Sequence, residues 1–165
     1  MSAKTAETLE IVQATRADLP VILSILSEAQ EWLSLKGMTQ QWQSGDFQEA
    51  RLNRSIDAGE VYLAKLGGEV VATATITWQN SLMWADVKGE AAYLNRMAVR
   101  RAHAGKKIGQ KLVDWAEAQA RAKGRKFVRL DCAPSLSDYY AKMGFTRVGH
   151  RTIGERMAIL FEKSL

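Results

Sequence analysis

The sequence lacks the features that mark exported, disulfide-linked or membrane-spanning proteins. It has one cysteine, Cys132, so no internal disulfide can form. No apolar run approaches the roughly 20 residues that cross a bilayer, and residues 1–10 contain no apolar signal-peptide core. We therefore expect a cytoplasmic protein without membrane association. Because Cys132 lies in the apolar run 127–133, it is expected to be a buried structural thiol rather than a nucleophile.

Several ligand-binding motifs are also missing. The single cysteine and two histidines form no zinc-binding spacing, and no metal is expected. There is no G-x-x-x-x-G-K-[ST] loop for a nucleoside triphosphate and no G-x-G-x-x-G turn for a dinucleotide. We do not expect nucleic-acid binding, because no recognition helix can be identified.

What is present is a chain of ordinary size with an uneven charge. Its 165 residues suit one domain, 1–165, with one core. Residues 96–129 contain 11 Lys and Arg but only Asp114 and Glu117 as acids. The net charge of this basic block is therefore +9, although the net charge of the whole chain is only +5. A local excess of positive charge favours an anionic ligand, although a solvated helix face is the alternative.

The hydrophobic pattern predicts a mixed α/β sheet with the order β-α-α-β-β-β-α-β-α-β-β. The glycine pair Gly67-Gly68 joins two of the strands in a tight hairpin, and one helix connects strands 91–99 and 127–133 in a right-handed parallel crossover. The predicted strands are 9–15, 61–66, 69–78, 91–99, 127–133 and a closing antiparallel pair, 145–150 with 156–163. The predicted helices are 19–36, 47–59, 106–123 and 135–143.

The junction 98–112 is the most informative local pattern. A strand ends there, a short turn follows, and a long helix begins with glycines at 105 and 109. The first N–H groups of a helix have no backbone partners, and the helix dipole makes that end positive, so a pyrophosphate fits there. Lys106, Lys107 and Lys111 add charge at its rim. A purely structural turn is the alternative interpretation.

The run YLNRMAVRRAHAGKKIGQKLVDWAEAQARAKGRKFVRLDC (93–132), followed by YYAKMGFTRVG (139–149), resembles the GNAT N-acetyltransferase superfamily. The resemblance covers the whole element order and is strongest over 91–149. It implies a single-domain, mostly antiparallel sheet in which one central parallel strand pair is splayed around the cofactor and helices flank the sheet. It also implies acetyl-CoA as the acyl-donor cosubstrate.

In that family a Q/R-x-x-G-x-G/A loop wraps the coenzyme A pyrophosphate. The matching hexapeptide here is Ala104-Gly105-Lys106-Lys107-Ile108-Gly109, with Ala104 in place of Arg or Gln and Lys107 in place of Gly. Backbone N–H groups survive both changes, but the Lys107 side chain must point away from the phosphate or bind it. The resemblance assigns cofactor binding to the following residues: Met97, Ala98, Val99, Ala104, Gly105, Lys106, Lys107, Ile108, Gly109, Gln110 and Tyr140.

Acetyl transfer to an amine needs a neutral amine, an N–H donor for the tetrahedral intermediate and a proton for the leaving thiolate. By resemblance to the family's Y-x-x-x-G-F pattern, Tyr140 supplies that proton. The backbone N–H of Met97 is the expected oxyanion donor by the same resemblance. Tyr139 points about 100° away from Tyr140 on a helix, so we expect it to pack.

The general base is left open by the sequence. The family's glutamate position falls at Tyr93, whose reference pKa of about 10 makes it a poor base. A water relay is as plausible as any carboxylate. The nearby candidates are Glu31, Asp86, Glu90 and Asp131.

The acceptor is expected to be a small-molecule primary amine. Glu31, Asp46 and Asp86 offer negative charge to a cationic amine, and four tryptophans offer either cation–π faces or core packing: Trp32, Trp42, Trp78 and Trp84. The alternatives are a protein amine, an acyl group delivered by an acyl carrier protein that docks on the basic block, and a coenzyme A sensor without catalysis. A homodimer through the last strands is possible.

Overall fold

The computed structural model describes residues 8–39, 41–43, 45–79 and 81–165. These ranges contain seven strands and four helices in the predicted order, together with short 3₁₀ turns. The strands are β1 (Leu9–Gln13), β2 (Val61–Leu66), β3 (Glu69–Thr77), β4 (Ala91–Val99), β5 (Phe127–Cys132), β6 (Thr146–Ile153) and β7 (Arg156–Ser164). The helices are α1 (Leu19–Leu35), α2 (Glu49–Asp57), α3 (Ile108–Ala122) and α4 (Ser137–Ala141).

All seven strands form one sheet in the order β1-β2-β3-β4-β5-β7-β6. The pair β4 and β5 is parallel and is connected through α3, whereas every other neighbouring pair is antiparallel. This confirms the mixed α/β sheet with one central parallel pair. It also confirms the hairpin, because Gly67 and Gly68 have φ angles of 58° and 83°, the left-handed values that a two-residue turn requires.

The helices cover both faces of the sheet. Helix α1 buries Ile22, Ile25 and Leu26 in a cluster that includes Leu63 of β2. Helix α3 buries Leu112 and its neighbours in a second cluster that includes the next residue of β2, Ala64. Successive strand residues point to opposite faces, so α1 and α2 lie on one side of the sheet and α3 lies on the other.

Arg129 of β5 is fully buried and holds residues 87–89 against the sheet. Its Nε donates to Glu162 at 2.7 Å, and its Nη atoms donate to the Tyr93 hydroxyl at 3.1 Å and to the Gly89 carbonyl at 3.2 Å. Its guanidinium carbon lies 5.2 Å from the ring centroid of Trp84, which is itself buried. The loop before β4 is therefore anchored to the core at this point.

Two expectations about the whole chain can be compared with the fold. Cys132 is buried, as predicted, and has no disulfide partner. Within the described ranges, no helix combines the length and the apolar character needed to traverse a bilayer.

Replacing Arg129 with Met should lower the free energy of unfolding by about 3–5 kcal/mol, because Glu162 and the carbonyl groups lose a buried partner. Urea unfolding followed by circular dichroism measures the change. Arg16→Ala, which removes an arginine from an exposed ion pair with Asp57, is the matched control and should leave the unfolding midpoint nearly unchanged. Equal midpoints for Arg129→Met and the wild type would contradict the structural role.

Candidate active site

The two parallel strands pair only at their beginnings. Their register ends with Tyr93 opposite Arg129. Beyond that pair β4 follows β3 up to Val99, while β5 follows β7 up to Cys132. The sheet therefore opens between β4 and β5 toward their carboxyl ends, which confirms the splayed strand pair expected from the sequence.

A β-bulge in β4 accounts for this opening. Thr75 of β3 pairs with Asn95 and Thr73 pairs with Ala98, so Arg96 and Met97 stand opposite a single residue of β3. An extra residue bends the strand that contains it and leaves part of its backbone outside the ladder. Arg96 has a left-handed φ of 46°, the conformation at which such a bulge normally has glycine. Met97, the second residue of the bulge, lines the opening.

A cavity of about 690 Å³ occupies the opening between the strands. Residues 94–99 of β4 form one wall and residues 130–133 form the other. The remaining walls come from α1 and the residues after it, from α4 and from the β6–β7 hairpin, including Trp32, Trp42, Tyr139, Tyr140 and Met157. The volume is typical of a site for a small molecule.

Four of the predicted site residues line this cavity: Met97, Ala98, Val99 and Tyr140. The predicted phosphate loop, 104–110, does not line it. This loop follows the carboxyl end of β4 after the turn Arg101–His103, and Arg101 in that turn belongs to the cavity wall. The loop and the cavity therefore lie at the same end of β4.

The predicted phosphate loop has two residues with left-handed backbone before α3. Gly105 has a φ of 83°, and Lys107 has a φ of 58° immediately before α3. The amide of Lys111 donates to the Lys107 carbonyl at 3.1 Å, so the earlier N–H groups of Ile108 to Gln110 precede the helical hydrogen-bond ladder. Lys107 occupies the family's glycine position, and its left-handed φ gives the physical reason for that glycine.

Gly109 serves a packing purpose that the sequence did not indicate. A Cβ atom at this position would collide with the hydroxyl of Tyr139 and approach Met143 to 3.4 Å. Tyr139 packs as expected, with its ring centroid 5.0 Å from that of Tyr140, but it is 45% exposed and also forms part of the cavity wall. The start of α3 and α4 therefore fit closely together beside the cavity.

Tyr140 lies in the cavity wall with only 7% of its surface exposed. Burial raises the pKa of its phenol far above the usual value, so the hydroxyl keeps its proton at neutral and moderately alkaline pH. The neighbouring Cys132 thiol is buried as well, and its pKa is raised to about 12. Both groups are neutral near pH 7, which excludes a thiolate nucleophile at Cys132.

Of the four carboxylates considered as bases, Asp131 lines the cavity, and burial raises its pKa. Glu31 and Glu90 are exposed and lie outside the lining, and Asp86 forms an ion pair with Arg151. The residue at the family's glutamate position, Tyr93, is buried. Its hydroxyl accepts a hydrogen bond from Arg129.

The predicted acceptor residues separate into two groups. Trp32 and Trp42 line the cavity, whereas Trp84 belongs to the core and Trp78 is covered by Lys123 at 4.6 Å from its ring centroid. Asp46 and Asp86, which were expected to attract an amine, are each bound to an arginine. The face of Trp32 is likewise taken, by the Arg101 guanidinium at 3.8 Å.

Among the cavity-wall residues that sequence reasoning missed are Gln41, Arg96 and Arg101. The Gln41 side-chain oxygen accepts a hydrogen bond from the Ala133 amide at 2.6 Å, which ties the segment after α1 to the end of β5. The sequence could have indicated Arg96, since it is a charged residue inside an otherwise mostly apolar strand. Gln41 and Arg101 lie in irregular segments, where no sequence pattern marks them as cavity residues.

Comparisons with known proteins agree with this geometry. The model of the acetyltransferase (GNAT) family matches residues 23–145. An uncharacterized N-acetyltransferase, YesJ of Bacillus subtilis (strain 168), is 29% identical over 164 residues, covering 92% of this chain and 88% of the relative. A crystal structure of a GNAT-family acetyltransferase from Listeria monocytogenes is 26% identical, with a TM-score of 0.80 and coverage of 100% and 99% of the two chains.

A third comparison extends the fold to a more distant protein. The paiA N-acetyltransferase from Thermoplasma acidophilum, solved in complex with coenzyme A, has a TM-score of 0.74 at 18% identity and covers 96% of this chain and 99% of that one. The splayed sheet and its cavity define the class as acetyltransferase-like, and the family match makes the assignment specific. The chain belongs to the GNAT acetyltransferase family, whose cosubstrate is acetyl-CoA.

Lys107→Gly should stabilise the protein relative to Lys107→Ala by about 1 kcal/mol, because glycine adopts the left-handed φ without steric cost. Both variants remove the same charge, so their comparison isolates the backbone conformation. Thermal unfolding measures the difference. The pair Lys106→Gly and Lys106→Ala is the control, since Lys106 is outside the left-handed region and alanine should be at least as stable there. The same order at both positions would contradict the strain at Lys107.

Proposed function

We propose that this protein transfers the acetyl group of acetyl-CoA to the primary amine of a small molecule. The observation that carries this proposal is the cavity between β4 and β5, where the bulge residue Met97 and the buried Tyr140 line the same space. The relative from Bacillus subtilis is named as an N-acetyltransferase. The size of the cavity favours a small acceptor over a protein amine.

The residues present fit coenzyme A. The strand segment Met97–Val99 borders the opening and offers backbone groups to an extended pantetheine arm. The N–H groups at the start of α3 and the charges of Lys106, Lys107 and Lys111 suit the phosphates. The related protein from Thermoplasma acidophilum was solved with coenzyme A, which supports the same use of this fold.

Acetyl-CoA supplies an acyl group that is already activated as a thioester. In this proposal the Met97 N–H donates a hydrogen bond to the carbonyl oxygen as negative charge develops there. Tyr140 donates its phenolic proton toward the departing sulfur. Its raised pKa keeps that proton in place before the reaction. Cys132 stays protonated and takes no part as a nucleophile.

Asp131 is the proposed general base. It is the one carboxylate among the sequence candidates that lines the cavity, and it lies on β5, across the opening from β4. Leu130 and Cys132 belong to the core under α3, so Asp131 between them faces the side of α1 and α2, where Trp32 and Trp42 lie. A base with a raised pKa accepts a proton more readily from an ammonium group.

Tyr140→Phe should reduce kcat about 100-fold, because the leaving group loses its proton donor, while the affinity for acetyl-CoA stays nearly unchanged. Calorimetry with acetyl-CoA, coenzyme A and a plain nucleotide measures binding, and release of free thiol across a panel of primary amines measures turnover. Tyr62→Phe, on β2 and packed against Trp115, is the matched control and should behave as the wild type.

The outcomes of these measurements separate the alternatives. Absence of binding to both coenzyme forms would refute the proposal. Binding without thiol release from any amine would indicate a coenzyme A sensor. Turnover only with an acylated carrier protein would show that the carrier protein, and not acetyl-CoA, is the acyl donor. Full activity of Tyr140→Phe would remove the acid role from Tyr140.

Asp131→Asn should lower kcat/KM by about 100-fold through loss of the base, and it should raise the melting temperature near pH 7. Because burial raises the pKa of Asp131, its ionised form costs stability above that pKa, and the advantage of asparagine should shrink as the pH falls below it. Glu90→Gln, at an exposed carboxylate that precedes β4, is the control and should change neither quantity. An active Asp131→Asn variant would leave a water relay as the base.

A further inference from the structure

Arg96 is energetically unfavourable at its position. Its left-handed φ of 46° is disfavoured for every residue except glycine and, to a smaller degree, asparagine and aspartate. Burial of its guanidinium also lowers its pKa, which means that the surroundings disfavour the charge. A bulge with glycine at this position would avoid both costs. The side chain therefore calls for an explanation beyond the opening of the strands.

The guanidinium of Arg96 has little to bind within the described part of the chain. Its one hydrogen bond goes to the Ser55 hydroxyl of α2 at 3.3 Å, and no carboxylate of the described residues forms an ion pair with it. Both Arg96 and Ser55 line the cavity. Most N–H groups of this guanidinium are therefore available to a ligand that binds in the cavity.

The other two arginines of the cavity wall are already engaged. Arg156 binds both oxygens of Asp46, at 2.9 and 3.2 Å. The Arg101 guanidinium lies over the ring of Trp32, 3.8 Å from its centroid. Arg96 therefore differs from both in having neither a carboxylate nor an aromatic face as its partner.

A single guanidinium that has no carboxylate partner among the described residues suits an anion with a single charge. Of the nearby charged groups, Arg51 of α2 disfavours its charged form and Glu60 favours it. A carboxylate matches that charge and accepts two parallel hydrogen bonds from a guanidinium. A phosphate dianion would be matched less well.

We propose that the acceptor is an amine that also carries a carboxylate, with the carboxylate bound by Arg96 and Ser55. The inference rests on the proposed acetyl transfer and names the class of its acceptor. The cavity then offers one positive group on β4 and one carboxylate, Asp131, on β5, which complements a molecule with one ammonium and one carboxylate group. Arg96 fixes the position of the acceptor and takes no part in proton transfer.

The direct test compares amino acids with their carboxamides, which keep the shape but lose the charge. Series with two to six carbons between the nitrogen and the carboxyl group measure the spacing that the cavity accepts. The pH-independent kcat/KM should be about 10- to 100-fold higher for the acid than for the amide at the best length, as expected for a charged hydrogen-bonded pair. Aminoalkyl phosphates form a third series and should be poorer acceptors than the acids.

Variants of Arg96 show whether the preference arises there. Arg96→Met should remove the preference for the acid while leaving kcat/KM for the amides and the affinity for acetyl-CoA within a few-fold of the wild type. Arg96→Lys keeps the charge but not the planar guanidinium, so the preference of this variant for the acid should lie between those of the wild type and Arg96→Met. Arg51→Met removes an exposed neighbouring cation that does not line the cavity, and it should retain the preference.

Each outcome can be distinguished from failure of the proposed function. If no amine of any series releases thiol, the acetyl transfer itself is refuted. If amines react but acids and amides do so equally well, or if phosphates are preferred, only the carboxylate inference is refuted. An equal loss of preference in Arg51→Met would show a long-range field instead of direct binding. If Arg96→Met does not fold, the Arg96→Lys variant tests the inference instead: a preference for the acid equal to that of the wild type would refute it.

Discussion

The extra residue in β4 is the constraint on which the rest of this molecule depends. Two parallel strands in one sheet normally stay paired along their length, and a continuous β4 would leave no space beside β5. The pairing of β4 with β5 ends at Tyr93, and the bulge at Arg96 and Met97 bends β4 beyond that point, so one local irregularity opens the cavity, places Met97 in its wall and directs Arg96 toward α2. The proposed chemistry requires all three consequences at once.

Unfavourable local states are concentrated around that opening. Arg96 and Lys107 have left-handed backbones without being glycine, and Asp131 is a carboxylate kept in surroundings that disfavour its charge. Such states persist when the surrounding structure holds them. Here the support comes from the pairing of β5 with β7 along its whole length and from the buried network of Arg129, which fixes both strands where the opening starts.

The glycine positions of the predicted phosphate loop are set by two different physical constraints. The backbone at Lys107 is left-handed, as a glycine position would be, so the fold retained the conformation although the residue changed. Gly109 is kept for a different reason, because Tyr139 occupies the space that a side chain would need. One glycine position in the hexapeptide is thus set by backbone conformation and the other by packing between α3 and α4.

The order of the elements, the hairpin at Gly67-Gly68, the parallel crossover through α3 and the family could all be predicted from the sequence, because periodicity and glycine placement are local signals. Only the folded chain shows which of four carboxylates reaches the cavity, that Trp84 belongs to the core, and that Arg96 is a cavity residue. These outcomes depend on the register between β3 and β4 and on how far β4 separates from β5. Strand register is set by contacts between residues far apart in the chain, and no local pattern encodes them.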